Sequence, residues 1–199
     1  MHPQLSIIIP HFNDVENLVK CVRMLKAQSL APATFEIVVA DNNSPVGIDV
    51  VRQAVDGDAT VVEAPVQGAG PARNAAVAAS IGSVLAFIDS DCRPQRDWLE
   101  RGLAALGKAD VVGGRVDIVS RNPASPNPIE AFEMATAFPI RDYVERKRFA
   151  VDRPVGTDDN YGNFGKHWIG HLLATELFAV HHRKHRVCSS RNTVQRTGR

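Results

Sequence analysis

The chain has 199 residues, enough for one domain with a substantial buried core. Hydrophobic residues make up 44% and charged residues 23%, which excludes a chain disordered throughout. The 23 Lys/Arg and 22 Asp/Glu leave a net charge of +1, which argues against a global polyanion binder.

That charge is unevenly spread. Residues 1–140 hold 11 Lys/Arg against 16 Asp/Glu, whereas residues 141–199 hold 12 against 6 and five of the seven His. Three cysteines, Cys21, Cys92 and Cys188, stand far apart with no CxxC, so neither a disulfide framework nor a thiolate zinc site is expected and a reducing compartment fits. The N-terminus lacks a basic and apolar leader, so no signal peptide is expected. The longest uncharged stretch, Asn74 to Ile88, is 15 residues and holds Asn, Ser and Gly. A bilayer span needs about 20 mostly apolar residues, so the expectation is a soluble, cytoplasmic chain with peripheral membrane contact left open.

Leu5-Ser-Ile-Ile-Ile-Pro10 reads as a buried strand, an apolar β-branched run stopped by proline. Asn13 and Glu16 read as a helix N-cap with its capping-box partner, and Leu18, Cys21, Val22 and Leu25 form one apolar helix face. Phe35–Ala40 is a second strand ending in the polar turn cluster Asp41–Pro45. Ile48, Val51 and Val55 predict a short helix, and Ala59–Glu63 a third strand. Gln67–Gly70 is a loop, with Pro71 at the first position of a helix that presents Ala72, Ala75, Ala76 and Ala79 and stops at Gly82. Val84–Ile88 is a fourth strand, followed by Asp89-Ser-Asp91. Asp97 caps a helix carrying Trp98, Leu99, Leu103 and Leu106, and Val111–Ile118 is a fifth strand with a glycine break. Strands alternating with helices predict an α/β fold, a mostly parallel sheet with helices on both faces.

After Ser120 the pattern changes. Asn122–Pro128 is proline-rich, residues 129–149 have helical spacing at Ile129, Phe132 and Thr136, and Arg146–Arg148 is basic. Residues 152–166 are polar, 168–180 moderately apolar, and 181–199 a basic tail without a periodic face. The expected division is an α/β domain at residues 1–150 and an atypical basic, His-rich segment at 151–199, with disorder as the default for its tail.

In an open parallel sheet, ligands sit beyond the carboxyl ends of the strands. Asp41, Asp89 and Asp91 lie there and are expected to converge on one crevice. Asp89-Ser-Asp91 offers two hard oxygen donors suited to Mg²⁺ or Mn²⁺, although the same residues also make ordinary turns. Gly68–Asn74 opens a helix, whose free N–H groups attract anions, and Arg73 can pair with a phosphate; a plain helix cap with a solvent-facing Arg is the alternative. Asp41 can accept from a nucleobase N–H or simply form an Asx-turn. Pro10 to Asn13 would line the same crevice, with helix capping as the other account of Asn13. The tail pair His181 and His185 has zinc spacing but no acidic or Cys partner nearby, so zinc is not expected.

Taken together these segments resemble the family 2 glycosyltransferases. The resemblance rests on Leu5–Asn13 with Glu16 and Leu18, Glu36–Asp41 with Ser44, Gly70–Asn74, and Phe87–Asp91 with Pro94, Trp98 and Leu99, in order over residues 5–120. It implies a GT-A fold, a UDP- or GDP-linked sugar donor and inverting transfer to a saccharide or lipid-linked acceptor with Mn²⁺ or Mg²⁺. It further implies polysaccharide or glycolipid assembly at the cytoplasmic face of a membrane. Carried onto this chain, Pro10 and Asn13 line the base pocket, Asp41 contacts the base, Arg73 the nucleotide, Asp89 the ribose and sugar, and Asp91, with Asp89, the metal.

The second half departs from that pattern. An inverting enzyme needs a general base for the acceptor hydroxyl, and the family's Glu-Asp-like pair opening a helix is absent. Asp158 and Asp159, an adjacent acidic pair in a Gly/Asn-rich stretch, are weak candidates. A truncated or frame-shifted reading frame is the favoured expectation for the shift in charge, and a divergent acceptor region is the other. A non-catalytic nucleotide-sugar-binding remnant is therefore the alternative function. A Rossmann dinucleotide binder is disfavoured because no GxGxxG follows the first strand. Nucleic-acid binding through the tail is not expected.

Overall fold

The computed structural model describes residues 3–107, 111–114, 117, 120, 122, 124–136 and 177–180. The elements in chain order are β1 (Leu5–His11), α1 (Val15–Lys26), a short 3-10 turn (Pro32–Thr34), β2 (Phe35–Asp41), α2 (Ile48–Ala54), β3 (Thr60–Glu63), α3 (Ala69–Ala79), β4 (Val84–Phe87), α4 (Trp98–Leu106), β5 (Val111–Gly113), α5 (Pro128–Thr136) and β6 (Leu177–Val180). The sheet order is β3-β2-β1-β4-β6-β5. β3, β2, β1 and β4 run parallel, and β6 lies antiparallel between β4 and β5. The sheet is thus mostly parallel as expected.

Continuous apolar runs make strands buried on both faces, as parallel sheets require. Successive side chains point to opposite faces, so each run feeds two cores. Leu5, Ile7, Ile9, Ile37, Val39, Val84, Ala86 and Ile88 join Leu18, Cys21, Val22 and Leu25 of α1, Val51 of α2, and Trp98 and Leu99 of α4. Ile8, Val38, Ala40, Leu85 and Phe87 meet Ala72 and Ala76 of α3. The alanine face of α3 lets that helix pack close to the sheet.

Several expected boundaries move. Asn13 is not the cap of α1: it takes a left-handed φ of 51°, which Asn tolerates, and its N–H donates to Ser44 Oγ at 2.8 Å. Asp14 caps instead, its carboxylate accepting from Asn17 N. Glu16 pairs with Lys20 rather than reaching back to the cap.

α3 begins at Ala69, so Pro71 is its third residue rather than its first. The missing proline N–H costs nothing there, because the first four N–H groups of a helix have no partner within it. The helix ends at Ala79, before Gly82. Gly82 serves a different purpose: a Cβ on it would lie 2.6 Å from Ser6 Oγ and 2.7 Å from backbone atoms of Leu5 and Ser6. Asp97 stands at the N-cap of α4 without a side-chain capping bond, its carboxylate taken by Arg101 Nε at 2.6 Å.

α5 is capped by Asn127, whose Oδ1 accepts from the N–H groups of Ile129 and Glu130, while Asn127 N donates to Glu130 Oε2. It ends at Thr136; the remainder of the expected helix to residue 149 lies outside the described residues. β6 was not expected. Its four residues pair antiparallel with both β4 and β5. No described helix is long and apolar enough to cross a membrane.

Candidate active site

The carboxyl ends of β1, β2 and β4 carry the polar groups. Parallel register sets His11 beside Asp41. The pleat carries both toward the α1 face, the one to which Ile9 and Val39 point. The same alternation on β4 carries Asp89, two residues past the strand, to the opposite face, where α3 lies. Asp41 and Asp89 therefore belong to two networks on either side of β1. Two strand spacings separate them, about 10 Å across the sheet.

On the α1 side Asp41 is buried. Its Oδ1 accepts from Ser44 Oγ at 2.5 Å and faces His11 Nδ1 at 3.0 Å, and its Oδ2 accepts from Ser44 N at 3.2 Å. The ring's other nitrogen fixes the tautomer. Asp14 N can only donate, and it meets His11 Nε2 at 3.2 Å. Nε2 therefore carries no proton, and Nδ1–H donates to Asp41. The imidazole is buried and engaged at both nitrogens. Asp41 holds its own turn through Ser44, three residues on, rather than through the Asx-turn that the sequence offered as its alternative role, and its acceptors are largely occupied within the chain. Pro10 is half-buried next to this network, and Asn13 joins it through Ser44.

On the α3 side Arg73 is 3% exposed and pairs through Nη2 with Asp89 Oδ1 at 2.6 Å. It is not the solvent-facing arginine of the alternative reading. Its Nε and Nη1 are buried with no hydrogen-bond partner among the described residues. Leaving such donors unmet costs about 1–3 kcal/mol each, more for a charged group. Burial pushes the Asp89 carboxyl above its ordinary value, the Arg73 guanidinium pulls it back down, and nearby Asp91 adds to the rise.

Asn42, which sequence reasoning passed over, ties the two sides together. Its Nδ2 donates to the carbonyls of Ala64 and Val66, and its Oδ1 accepts from Gly68 N, all at 2.7 Å. It thereby holds the loop that leads into α3. Its place directly after Asp41 in a polar cluster was the only signal available.

Asp91 lies exposed on the loop after β4. Among the described residues no group of three or more His, Cys, Asp or Glu is placed to hold a metal ion. The donor set is thus two carboxylates, with Asp89 Oδ1 already engaged by Arg73. Such a set suits a hard cation that keeps waters and takes its remaining oxygens from a substrate phosphate, the usual behaviour of Mg²⁺. The residues fit the implied metal on those terms. Asp158, Asp159, His181 and His185 lie outside the described residues.

The acidic residues do not share one network as the sequence suggested, but all lie past the carboxyl ends of a mostly parallel sheet, the end where α/β folds commonly place a ligand. The chain belongs to the glycosyl transferase family 2, whose description matches residues 6–169. It is 32% identical over 177 residues to the glycosyltransferase AglE of Haloferax volcanii, covering 84% of this chain and 58% of that protein. It is also 32% identical over 126 residues to the uncharacterized glycosyltransferase alr2836 of Nostoc, covering 60% and 38% respectively. The chain thus spans little more than half of the first relative and less of the second. Among solved structures it resembles the mannosyltransferase PcManGT from Pyrobaculum calidifontis, in complex with GDP-Man and Mn²⁺. That match has a TM-score of 0.50 and 24% identity over 61% of this chain and 36% of the other. The likeness establishes the fold, the GT-A arrangement that the sequence resemblance implied.

Proposed function

We propose that this chain carries the donor site of a metal-assisted glycosyltransferase. It binds a UDP- or GDP-linked sugar and promotes its transfer, with inversion, to a saccharide or lipid-linked acceptor at the cytoplasmic face of a membrane. The observation that carries the proposal is the buried Arg73 guanidinium in the second turn of α3, paired with Asp89 and with the N–H groups of Nε and Nη1 unmet. An oxygen-rich anion satisfies those donors; an apolar or cationic ligand does not. The GDP-Man and Mn²⁺ bound to PcManGT are ligands of the class proposed.

In this reading the loop from Pro10 to Asn13 and the turn at Asp41 receive the base. Because the Asp41 carboxylate is committed to His11 and Ser44, its part is mainly to hold that turn in shape. Arg73 and the α3 N-terminus face the phosphates, and Asp89, steered by Arg73, lies toward the ribose and sugar. Asp91 and Asp89 hold the divalent cation, which when bound neutralises charge on the diphosphate. During transfer the acceptor hydroxyl oxygen bonds to the anomeric carbon while the bond from that carbon to the diphosphate breaks. The diphosphate leaves with the electron pair, and the hydroxyl proton passes to a base. Asp158 and Asp159 are the candidates for that base, worth a factor of about 10²–10⁴ in rate.

The test is Asp91→Ala, with nucleoside diphosphate binding measured by calorimetry in Mn²⁺ and in chelator. Loss of the metal-dependent part alone supports the role given to Asp91. Unchanged metal-dependent binding would show that role to be wrong. Binding without transfer to any acceptor would favour the non-catalytic remnant.

A further inference from the structure

We propose that Arg93 is a positioning residue that holds the Asp89–Asp91 loop against the first turn of α1 and so sets the affinity of the site for its metal. The inference rests on the metal role of Asp91 given above. Arg93 Nη1 donates to the backbone oxygens of Asp91 at 3.0 Å and Cys92 at 2.9 Å, folding the side chain back over its own loop. Its Nη2 donates to Asn17 Oδ1 at 2.6 Å, across 76 residues of sequence.

Asn17 is itself fixed. Its Nδ2 donates to Asp14 Oδ2 at 2.8 Å and its N–H to Asp14 Oδ1. Asp14 N in turn meets His11 Nε2. A continuous hydrogen-bonded path therefore runs from the metal loop through Arg93, Asn17, Asp14 and His11 to Asp41. Cys21 of α1 adds a weak contact to the Asp89 carbonyl at 3.7 Å. The guanidinium suits this position because its planar fork serves three acceptors at once, which an ammonium does with less geometric definition.

The exposed Asp91 carboxylate gains an ordered backbone from this arrangement. Its chelating geometry is set before the cation arrives, so less ordering is left for binding. Electrostatics alone make the opposite prediction: a positive charge beside Asp91 repels a cation, so its removal would tighten metal binding. The sign of the effect separates the two.

The experiment is calorimetry of the full chain with UDP or GDP, in Mn²⁺ and in chelator, for the parent chain, Arg93→Ala, Arg93→Lys, Asn17→Ala and the Arg93→Ala/Asn17→Ala pair. Arg93→Ala is expected to weaken binding in Mn²⁺ by about tenfold, the lower end for a partner that orients a metal ligand. Binding in chelator and the melting temperature stay at the parent values. Asn17→Ala, which leaves the charge intact, gives the same pattern, Arg93→Lys recovers part of the loss, and the pair loses no more than one variant alone. Tighter binding in Mn²⁺, an unchanged value, or an equal loss in Mn²⁺ and chelator would each overturn the positioning role. A parent chain that binds nucleotide without any dependence on Mn²⁺ would instead overturn the metal reading on which it rests.

Discussion

Breaking the Arg73–Asp89 pair from its two ends should have unequal consequences. Asp89→Ala strands a guanidinium that is 3% exposed, that has Nε and Nη1 already unmet, and that loses its one partner at Nη2. Arginine cannot shed its proton to escape, so the cost is that of an unpaired buried charge, about 3–5 kcal/mol. Arg73→Met strands a carboxylate that is 24% exposed and already raised by burial. That group can hydrate or take up a proton, so its cost is smaller, about 1–2 kcal/mol. For a domain of this size 1 kcal/mol shifts the melting temperature by about 2–4 °C. Asp89→Ala should therefore melt roughly 6–20 °C below the parent chain and Arg73→Met roughly 2–8 °C below. The double variant Arg73→Met/Asp89→Leu should recover most of the loss, since a well-packed apolar pair replaces a buried ion pair at little cost. Thermal melts of all four chains at neutral pH decide the matter. Equal losses from the two single variants, or the larger loss from Arg73→Met, would refute the reasoning.

Gly82→Ala should destabilise by about 1–3 kcal/mol through overpacking, because its Cβ would lie 2.7 Å from the β1 backbone; a melt at the parent temperature would show that this joint gives way freely. Asp41→Ala removes the acceptor of His11 Nδ1, Ser44 N and Ser44 Oγ together, and should cost about 2–4 kcal/mol in denaturant unfolding; a loss within error would mean these donors find other partners. Burial pushes the Cys21 thiol up to about 12. The thiol ionises in the unfolded chain first, so its contribution is complete below the ordinary value of 9.0 and is lost as pH climbs from there toward 12. At pH 10 the loss is about 1.4 kcal/mol, and a Cys21→Ala chain should show a correspondingly shallower alkaline decline; parallel profiles would contradict it.

The fold was largely legible because its strands are short apolar runs with clear stops and its helices carry one apolar face. What the sequence left open turned on single-residue geometry. Asn13 and Asp14 are adjacent and both suit an N-cap; the left-handed turn at Asn13 decides for Asp14, and no local pattern reveals it. β6 is four apolar residues in basic surroundings, too short to show a period, and its place depends on pairing with β4 and β5. The acidic residues at the strand ends were legible as a group, but their partners were not. His11 meets Asp41 only because β1 and β2 pair in that register. Arg73 meets Asp89 because the pleat sends residue 89 to the α3 side, an inference that strand parity allowed once β4 was placed. The Arg93–Asn17 contact joins positions far apart in the chain and leaves no mark in either segment.

The central claim, a donor site for a nucleoside diphosphate that works with a divalent cation, is tested most directly by a thermal-shift titration with UDP and GDP, each with and without Mn²⁺. A ligand bound only by the folded state stabilises by about 2.7 kcal/mol at a hundred times its dissociation constant. That corresponds to a rise of roughly 5–10 °C for a domain of this size. The account predicts such a rise with one of the two nucleotides, larger in Mn²⁺ than in chelator. A chain that melts cooperatively yet shifts with neither nucleotide in Mn²⁺ would contradict it.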